Sequence, residues 1–142
     1  MKFAASKLLG LAFVAAAPAA RAQGREVFGR STATLSPAVK AGGLVYASGQ
    51  LPARGDSTIE AQTTSALNNV KAAFEQAGTN MNNAVKCTVF LIDLKDFAGM
   101  NSAYSKFWSP ENPPPARSTV VVAALVSPGA KLEIECIAAV PR

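Results

Sequence analysis

This 142-residue chain contains no histidine, the residue type that most often acts as a base in catalysis. Ser-His-Asp and Cys-His catalysis both need an imidazole base, so both are excluded, and so are zinc sites built on histidine. Only Cys87 and Cys136 carry a thiol, and two cysteines alone seldom hold a metal, so we expect no metal site. Each cysteine lies inside a strand-like run. We therefore expect two buried, unpaired residues, with a disulfide as the alternative.

Arg117 and Glu133 are two charged residues whose types could take part in catalysis. Arg117 follows the stiff run Pro113-Pro114-Pro115, which fixes its approach, and its planar guanidinium suits bidentate binding of a carboxylate. An ordinary surface arginine at the start of a strand is the alternative. Glu133 alternates with apolar neighbours, so its side chain points away from them. A surface salt bridge would explain Glu133 and Glu135 equally well.

The first 22 residues have the order of a secretory signal. A basic start at Lys2 precedes the apolar run 8–17, which is too short to span a bilayer, and Ala20-Arg21-Ala22 follows. We expect cleavage before Gln23, a single domain over 23–142, and a periplasmic or secreted protein with no membrane contact after cleavage. A retained membrane anchor and a buried N-terminal helix are the alternatives.

The net charge argues against a nucleic-acid partner. The chain has 14 basic and 9 acidic residues, a formal charge of +5. Lys2, Lys7 and Arg21 lie in the acid-free leader, so 11 basic and 9 acidic residues remain in the domain. A nearly balanced surface of this kind lacks the basic stripe expected of such proteins.

The apolar patterns predict an α+β domain with helices on one face of a mixed sheet. The strands at 85–92 and 117–125 are apolar on both faces, although two helices cover only one. The second face therefore predicts a homo-oligomer. The predicted elements are a hairpin over 39–48, a helix from 57 or 58 to 77 that ends at Gly78, a strand over 85–92, a helix over 96–108, and strands over 117–125 and 131–140.

Several motifs in the domain resemble the Rid/YjgF family of reactive intermediate deaminases. The resemblance covers essentially all of residues 23–142, and Ser-Gly-Gln and Pro-Ala-Arg-Ser-Thr are its most specific parts. The matching segments are Ser36 to Gly42, Val45 to Pro52, Gln62 with Ala66 to Val70, Val85 to Leu91, Asp96 to Asn101, Pro115 to Thr119 and Leu132 to Glu135.

The resemblance implies a chorismate-mutase-like fold assembled as a homotrimer with clefts between neighbouring subunits. It implies cofactor-free hydrolysis of 2-imino acids and their enamine tautomers to 2-oxo acids and ammonia. Arg117 would hold the substrate carboxylate, and Glu133 would act on the attacking water. The remaining residues of the predicted substrate site are Ser48, Gly49, Thr119, Asn101 and Tyr104. The alternative for Ser48 and Gly49 together is an ordinary strand exit. The alternatives for the other three are a strand position for Thr119, a helix cap for Asn101 and a core aromatic for Tyr104.

One position departs from the family pattern, because Ala38 stands where imine deaminases of the family have a tyrosine that closes the pocket. This substitution predicts a roomier or altered cleft. Two other functions remain open. One is a non-enzymatic trimer that binds small carboxylates in its clefts. The other is the ribonuclease activity of some relatives, against which the balanced charge and the absent histidine argue.

Overall fold

The computed structural model describes residues 24–141, so the predicted signal peptide and its cleavage before Gln23 lie outside the described residues. The chain forms a six-stranded sheet in the order β1-β2-β3-β6-β4-β5. The strands are β1 (Glu26–Phe28), β2 (Ala38–Ala41), β3 (Leu44–Gln50), β4 (Ala84–Leu91), β5 (Ala116–Val121) and β6 (Leu132–Ala139), and the helices are α1 (Ile59–Gln76) and α2 (Phe97–Tyr104).

The sheet is mixed, which confirms the predicted α+β class. Strands β4 and β5 are parallel, and β6 lies between β3 and β4, antiparallel to both. The predicted hairpin is confirmed as β2 and β3, joined by a turn in which Gly42 and Gly43 have φ values of +59° and +79° that favour glycine. The short strand β1, which pairs with β2, was not predicted, because three residues are too few to show a period.

Helix α1 is confirmed close to its predicted bounds. The side chain of Thr58 caps it by accepting a hydrogen bond of 3.1 Å from the backbone N–H of Ala61. The chain leaves the helix through Gly78, whose φ of +82° suits the left-handed position after a helix end. The buried stripe of α1, which includes Leu67, Val70 and Phe74, packs on the sheet.

Helix α2 is shorter than predicted, because only residues 97–104 are α-helical. Single 3-10 turns, Leu94–Asp96 and Ser105–Phe107, extend it at both ends, so the apolar spacing over 96–108 reflects three consecutive elements. Within residues 24–141, no helix combines the length and the apolar character needed to cross a membrane.

Strand β5 is also shorter than the predicted 117–125. It lies at the edge of the sheet and has β4 as its single neighbour. The last bond to β4 joins the Val122 N–H to the carbonyl oxygen of Leu91 at 2.8 Å, and the chain then leaves the sheet. Apolar residues beyond this point satisfy a strand pattern without having a strand to pair with.

Both helices cover the same face of the sheet, as predicted. On that face Cys87, Val89, Leu91, Leu132 and Ile134 are fully buried. The opposite face has no covering layer among the described residues, and large side chains on it are half-exposed; Tyr46 is 42% and Val120 45% exposed. The second face is therefore apolar and partly exposed in the single chain.

The expectation of two unpaired cysteines is wrong, because Cys87 and Cys136 form a disulfide. The two residues are direct partners in the antiparallel pairing of β4 and β6, and their Cα atoms are 4.1 Å apart. Directly opposed residues at this spacing have their Cβ atoms on the same face and close together. The sequence did not indicate the pairing, because β4 and β6 are separated by 40 residues of chain and their adjacency is a property of the whole sheet.

Candidate functional site

The guanidinium of Arg117 is held in place by helix α2. Arg117 is the second residue of β5 and lies opposite Cys87 in the parallel pair, so its side chain is on the helix-covered face. The guanidinium carbon lies 4.7 Å from the ring centroid of Tyr104, and Nη1 is 3.8 Å from the sulfur of Met100. This stacking is a cation–π contact. Within residues 24–141, no carboxylate lies within salt-bridge distance of Arg117.

A cavity of about 410 Å³ lies beside this guanidinium. The structure brings together here three of the predicted residues, Asn101, Tyr104 and Arg117. Trp108 also lines the cavity, and its ring centroid is 5.6 Å from that of Tyr104. The sequence analysis missed Trp108, although its position four residues after Tyr104 was a usable signal. The walls are completed by Pro114 and Pro115 of the stiff segment before β5.

Tyr104 is buried and lies next to the guanidinium of Arg117. It is 4% exposed, and burial raises the pKa of its phenol to about 12, against an opposing effect from the nearby charge of Arg117. The ring is therefore neutral at physiological pH and presents its face to the guanidinium. Its hydroxyl has no hydrogen-bond partner among the described residues. Tyr104 is thus both a core residue, as its alternative explanation held, and a neighbour of Arg117.

Glu133 lies on the opposite face of the sheet and packs against Gly49. It is the second residue of β6 and pairs with Phe90 of β4, whereas its neighbours in the chain, Leu132 and Ile134, point into the core. Gly49 has no side chain, and a Cβ atom added there would lie 2.8 Å from Cδ of Glu133 and overlap its Oε1. The carboxylate therefore occupies the space that any other residue at position 49 would fill.

Ser48 and Thr119, two further predicted site residues, differ in their hydrogen bonds. The hydroxyl of Ser48 donates to the carbonyl oxygen of Ser36 at 2.7 Å, and the Ser48 N–H donates to Pro37 at 3.0 Å. Ser48 thus fastens the segment before β2 to β3. Thr119 lies two residues after Arg117 and on the same face of β5, and its buried hydroxyl has no partner among residues 24–141.

Ala38 does not line the cavity beside Arg117. It is 1% exposed and belongs to the core cluster of the helix-covered face. The expected effect of its small side chain on a cleft between subunits stays a prediction.

The predicted residues therefore form two groups that one chain does not bring together. Arg117, Asn101, Tyr104 and Thr119 lie on the helix-covered side, and Glu133 lies on the other side with Gly49. The alternation of side chains along a strand imposes this separation, because Cys87 and Phe90, the partners of Arg117 and Glu133, point to opposite faces of β4. Across residues 24–141, no three His, Cys, Asp or Glu side chains are placed to hold a metal ion.

The sequence model of the family described as endoribonuclease L-PSP matches residues 29–140, nearly all of the described chain. The chain belongs to the YjgF/Rid family. The resemblance predicted from the motifs is thereby confirmed. A solved member of the YjgF family from Neisseria meningitidis superposes with a TM-score of 0.79 at 26% identity, covering 86% of this chain and 99% of that one. The YjgF-type fold is confirmed with it.

Two further relatives bear on function and location. Escherichia coli TdcF, solved with bound serine, superposes with a TM-score of 0.73 at 34% identity and covers 82% of this chain and 99% of that chain. The mitochondrial protein mmf1 of Schizosaccharomyces pombe is 40% identical over 114 residues, 76% of this chain and 69% of mmf1.

The expected periplasmic or secreted location is wrong by this comparison, because mmf1 is a mitochondrial protein. The expectation depended on the basic start, the apolar run 8–17 and Ala20-Arg21-Ala22 that follow one another in the leader. Organelle transit peptides are also basic and poor in acidic residues, so the charge of the leader did not by itself distinguish the two destinations.

Proposed function

We propose that this YjgF/Rid protein hydrolyses 2-imino acids and their enamine tautomers to 2-oxo acids and ammonia. The observation that carries the proposal is the guanidinium of Arg117. It is stacked on Tyr104, it lines a cavity of about 410 Å³, and it has no carboxylate partner among the described residues. A fixed, uncompensated guanidinium beside a cavity is well suited to bind an anionic ligand.

Arg117 supplies the binding energy for the substrate carboxylate. A guanidinium offers two parallel N–H donors to the two carboxylate oxygens, and a charged hydrogen bond of this kind contributes about 1.5–3 kcal/mol. The family relative TdcF was solved with serine, whose carboxylate is the group that a 2-imino acid also carries. Asn101 and Trp108 border the same cavity and would contact the substrate's side chain. The proposed reaction needs no cofactor.

Glu133 supplies the base for the attacking water. The carboxylate accepts a proton as the water oxygen adds to the carbon of the protonated imine, which converts the C=N double bond into a neutral carbinolamine. Glu133 then returns this proton to the nitrogen and the C–N bond breaks to release ammonia. The hydroxyl proton passes to the Glu133 carboxylate as the C=O bond of the 2-oxo acid forms. General-base assistance of this type contributes about 10²- to 10⁴-fold in rate. Backbone groups of Gly49 and Thr119 would hold water and substrate in line.

We propose that the working form is a homotrimer, in which Arg117 of one chain faces Glu133 of its neighbour. The support is the geometry of the single chain, whose two groups of site residues are on opposite faces of the sheet. The uncovered face, on which Tyr46 and Val120 are half-exposed, offers the apolar surface for such packing. A cleft between chains then contains both the carboxylate anchor and the base.

Ammonia release from imines generated in situ by an amino-acid oxidase tests the proposal. We expect Arg117→Ala to lose most of its catalytic efficiency and Arg117→Lys to recover little, because an ammonium lacks the bidentate fork. Arg30→Ala removes an exposed arginine that is not among the predicted site residues. It is the matched control, and we expect it to have full activity. We expect Glu133→Gln to bind an inert 2-oxo acid normally by calorimetry and to lose hydrolytic rate.

Two results would contradict this assignment. Unchanged binding of the oxo acid by Arg117→Ala would show that the anchor lies elsewhere, and wild-type rates in Glu133→Gln would give the base to another group such as Glu135. Binding that depends on Arg117, combined with no hydrolysis by the wild-type protein, would instead favour the non-enzymatic carboxylate-binding trimer.

A further inference from the structure

The side chain of Gln62 on α1 is buried and makes three hydrogen bonds to backbone groups of two separate loops. It is 3% exposed. Its Nε2 donates to the carbonyl oxygens of Asp56 and Gly129 at 2.8 and 3.0 Å, and its Oε1 accepts from the N–H of Lys131 at 2.7 Å. Both amide protons and the amide oxygen are in use, so the orientation of the side chain is fixed.

These bonds connect the two loops across a cavity of about 430 Å³, which loops 52–56 and 127–130 line together with Gln62. The first loop is also tied to α1 elsewhere, because the Ala53 N–H donates to Ser65 at 2.8 Å and Asn69 donates to Leu51 at 2.9 Å. The second loop has no such additional tie to α1 among the described hydrogen bonds. Gln62 is therefore its main connection to the helix.

Lys131, the residue directly before β6, is held by three contacts. Its N–H is bound by Gln62, its carbonyl oxygen accepts from Ile92 at 3.0 Å, and its ammonium pairs with Asp96 at 3.1 Å. Glu133 follows two residues later and presses against Gly49. The position of the Glu133 carboxylate along the sheet thus depends on where Lys131 is anchored.

We propose that Gln62 is a positioning residue for hydrolysis, which sets the start of β6 so that Glu133 meets the attacking water. The inference rests on the proposed function and adds to it a residue that touches neither substrate nor water. An unpaired amide in this buried position would be costly, so the three bonds hold the side chain and the two loops in one arrangement. The bond from the Lys131 N–H reaches the start of the strand that contains Glu133, and none of the three bonds involves Arg117.

The test compares three variants in single-turnover imine hydrolysis and in calorimetric binding of an inert 2-oxo acid. We expect Gln62→Met, which keeps the length but no hydrogen bond, to lose roughly tenfold or more in hydrolytic rate while its affinity for the oxo acid stays within about twofold. Gln62→Glu keeps the acceptor for Lys131 and should retain a larger share of the rate. Ser65→Ala, also on α1, removes the hydrogen bond from the Ala53 N–H in the first loop and should keep the wild-type rate.

Amide hydrogen exchange at Lys131 separates this inference from the proposed function. We expect faster exchange there in Gln62→Met and unchanged exchange in Ser65→Ala. A wild-type rate in Gln62→Met, or an equal loss of rate and oxo-acid affinity, would overturn the positioning role. If the wild-type protein does not hydrolyse imines, the proposed function fails. Unchanged exchange at Lys131 in Gln62→Met would then overturn the positioning role as well. Should Gln62→Met not fold, Gln62→Glu decides, and an equal loss of hydrolytic rate and oxo-acid affinity in that variant would overturn the role.

Discussion

Replacing Gly49 by alanine should damage hydrolysis without damaging the fold. The added Cβ would lie 2.8 Å from Cδ of Glu133, whereas carbon atoms in contact are about 3.5–4.0 Å apart, so the carboxylate must retreat by about 1 Å. Gly49 does not have a positive φ, so alanine is not strained there, and the group that must move is the flexible end of a side chain. A misplacement of this size costs roughly 10²-fold in rate. We expect a loss of that order with a change in unfolding free energy below about 1 kcal/mol.

The assay is single-turnover imine hydrolysis, combined with urea unfolding of the same samples. A double-mutant cycle with Glu133→Ala isolates the effect, because without the carboxylate the methyl group at position 49 should cost nothing further. Gly99→Ala is the contrasting control. Its Cβ would meet Ile59 and Glu60 between the two helices, so stability should fall while the rate per folded molecule stays normal. If Gly49→Ala hydrolyses imines at the wild-type rate, or lowers the rate equally with and without Glu133, the placement of the base is refuted.

Two further predictions concern the assembly and the disulfide. Refolding Arg117→Ala and Glu133→Gln chains together should restore about a quarter of the wild-type sites, since random mixing places an intact arginine opposite an intact glutamate in about that fraction of clefts; no gain in activity would place both residues in one chain's site. Replacing both Cys87 and Cys136 by alanine should lower the unfolding free energy by about 4 kcal/mol, because the bond closes a loop with a sequence separation of 49 residues. Urea unfolding measures the second effect, and equal midpoints for both proteins would contradict it.

The parts of the fold that sequence predicted well are those fixed by neighbouring residues. Helix α1 has its cap at Thr58, its apolar stripe and its terminating Gly78 within one segment, and the β2–β3 hairpin has its turn glycines between its strands. Each of these signals acts over a few residues, so no knowledge of the rest of the chain is needed to interpret it.

The features that sequence did not predict depend on the order of strands in the sheet. The insertion of β6 between β3 and β4 places Cys136 opposite Cys87 and puts Glu133 beside Gly49. Alternation along β6 correctly predicted that Glu133 points away from the core. It did not show that Arg117 points to the other side, because the face of an edge strand is set by its register with β4.

The disulfide has a consequence for how the domain responds to a cut backbone. With the peptide chain between Cys87 and Cys136 it closes a covalent ring, and this ring contains Arg117, α2 and Glu133. A protease that nicks an exposed loop inside the ring, such as residues 122–130, would leave the fragments joined through sulfur. The nicked chain would keep Arg117 and Glu133 in one covalent molecule. On a denaturing gel it would migrate as two pieces only after the disulfide is reduced. Gly49 and Gln62 lie outside the ring, so a cut between Gln62 and Cys87 would leave them with no covalent connection to Glu133.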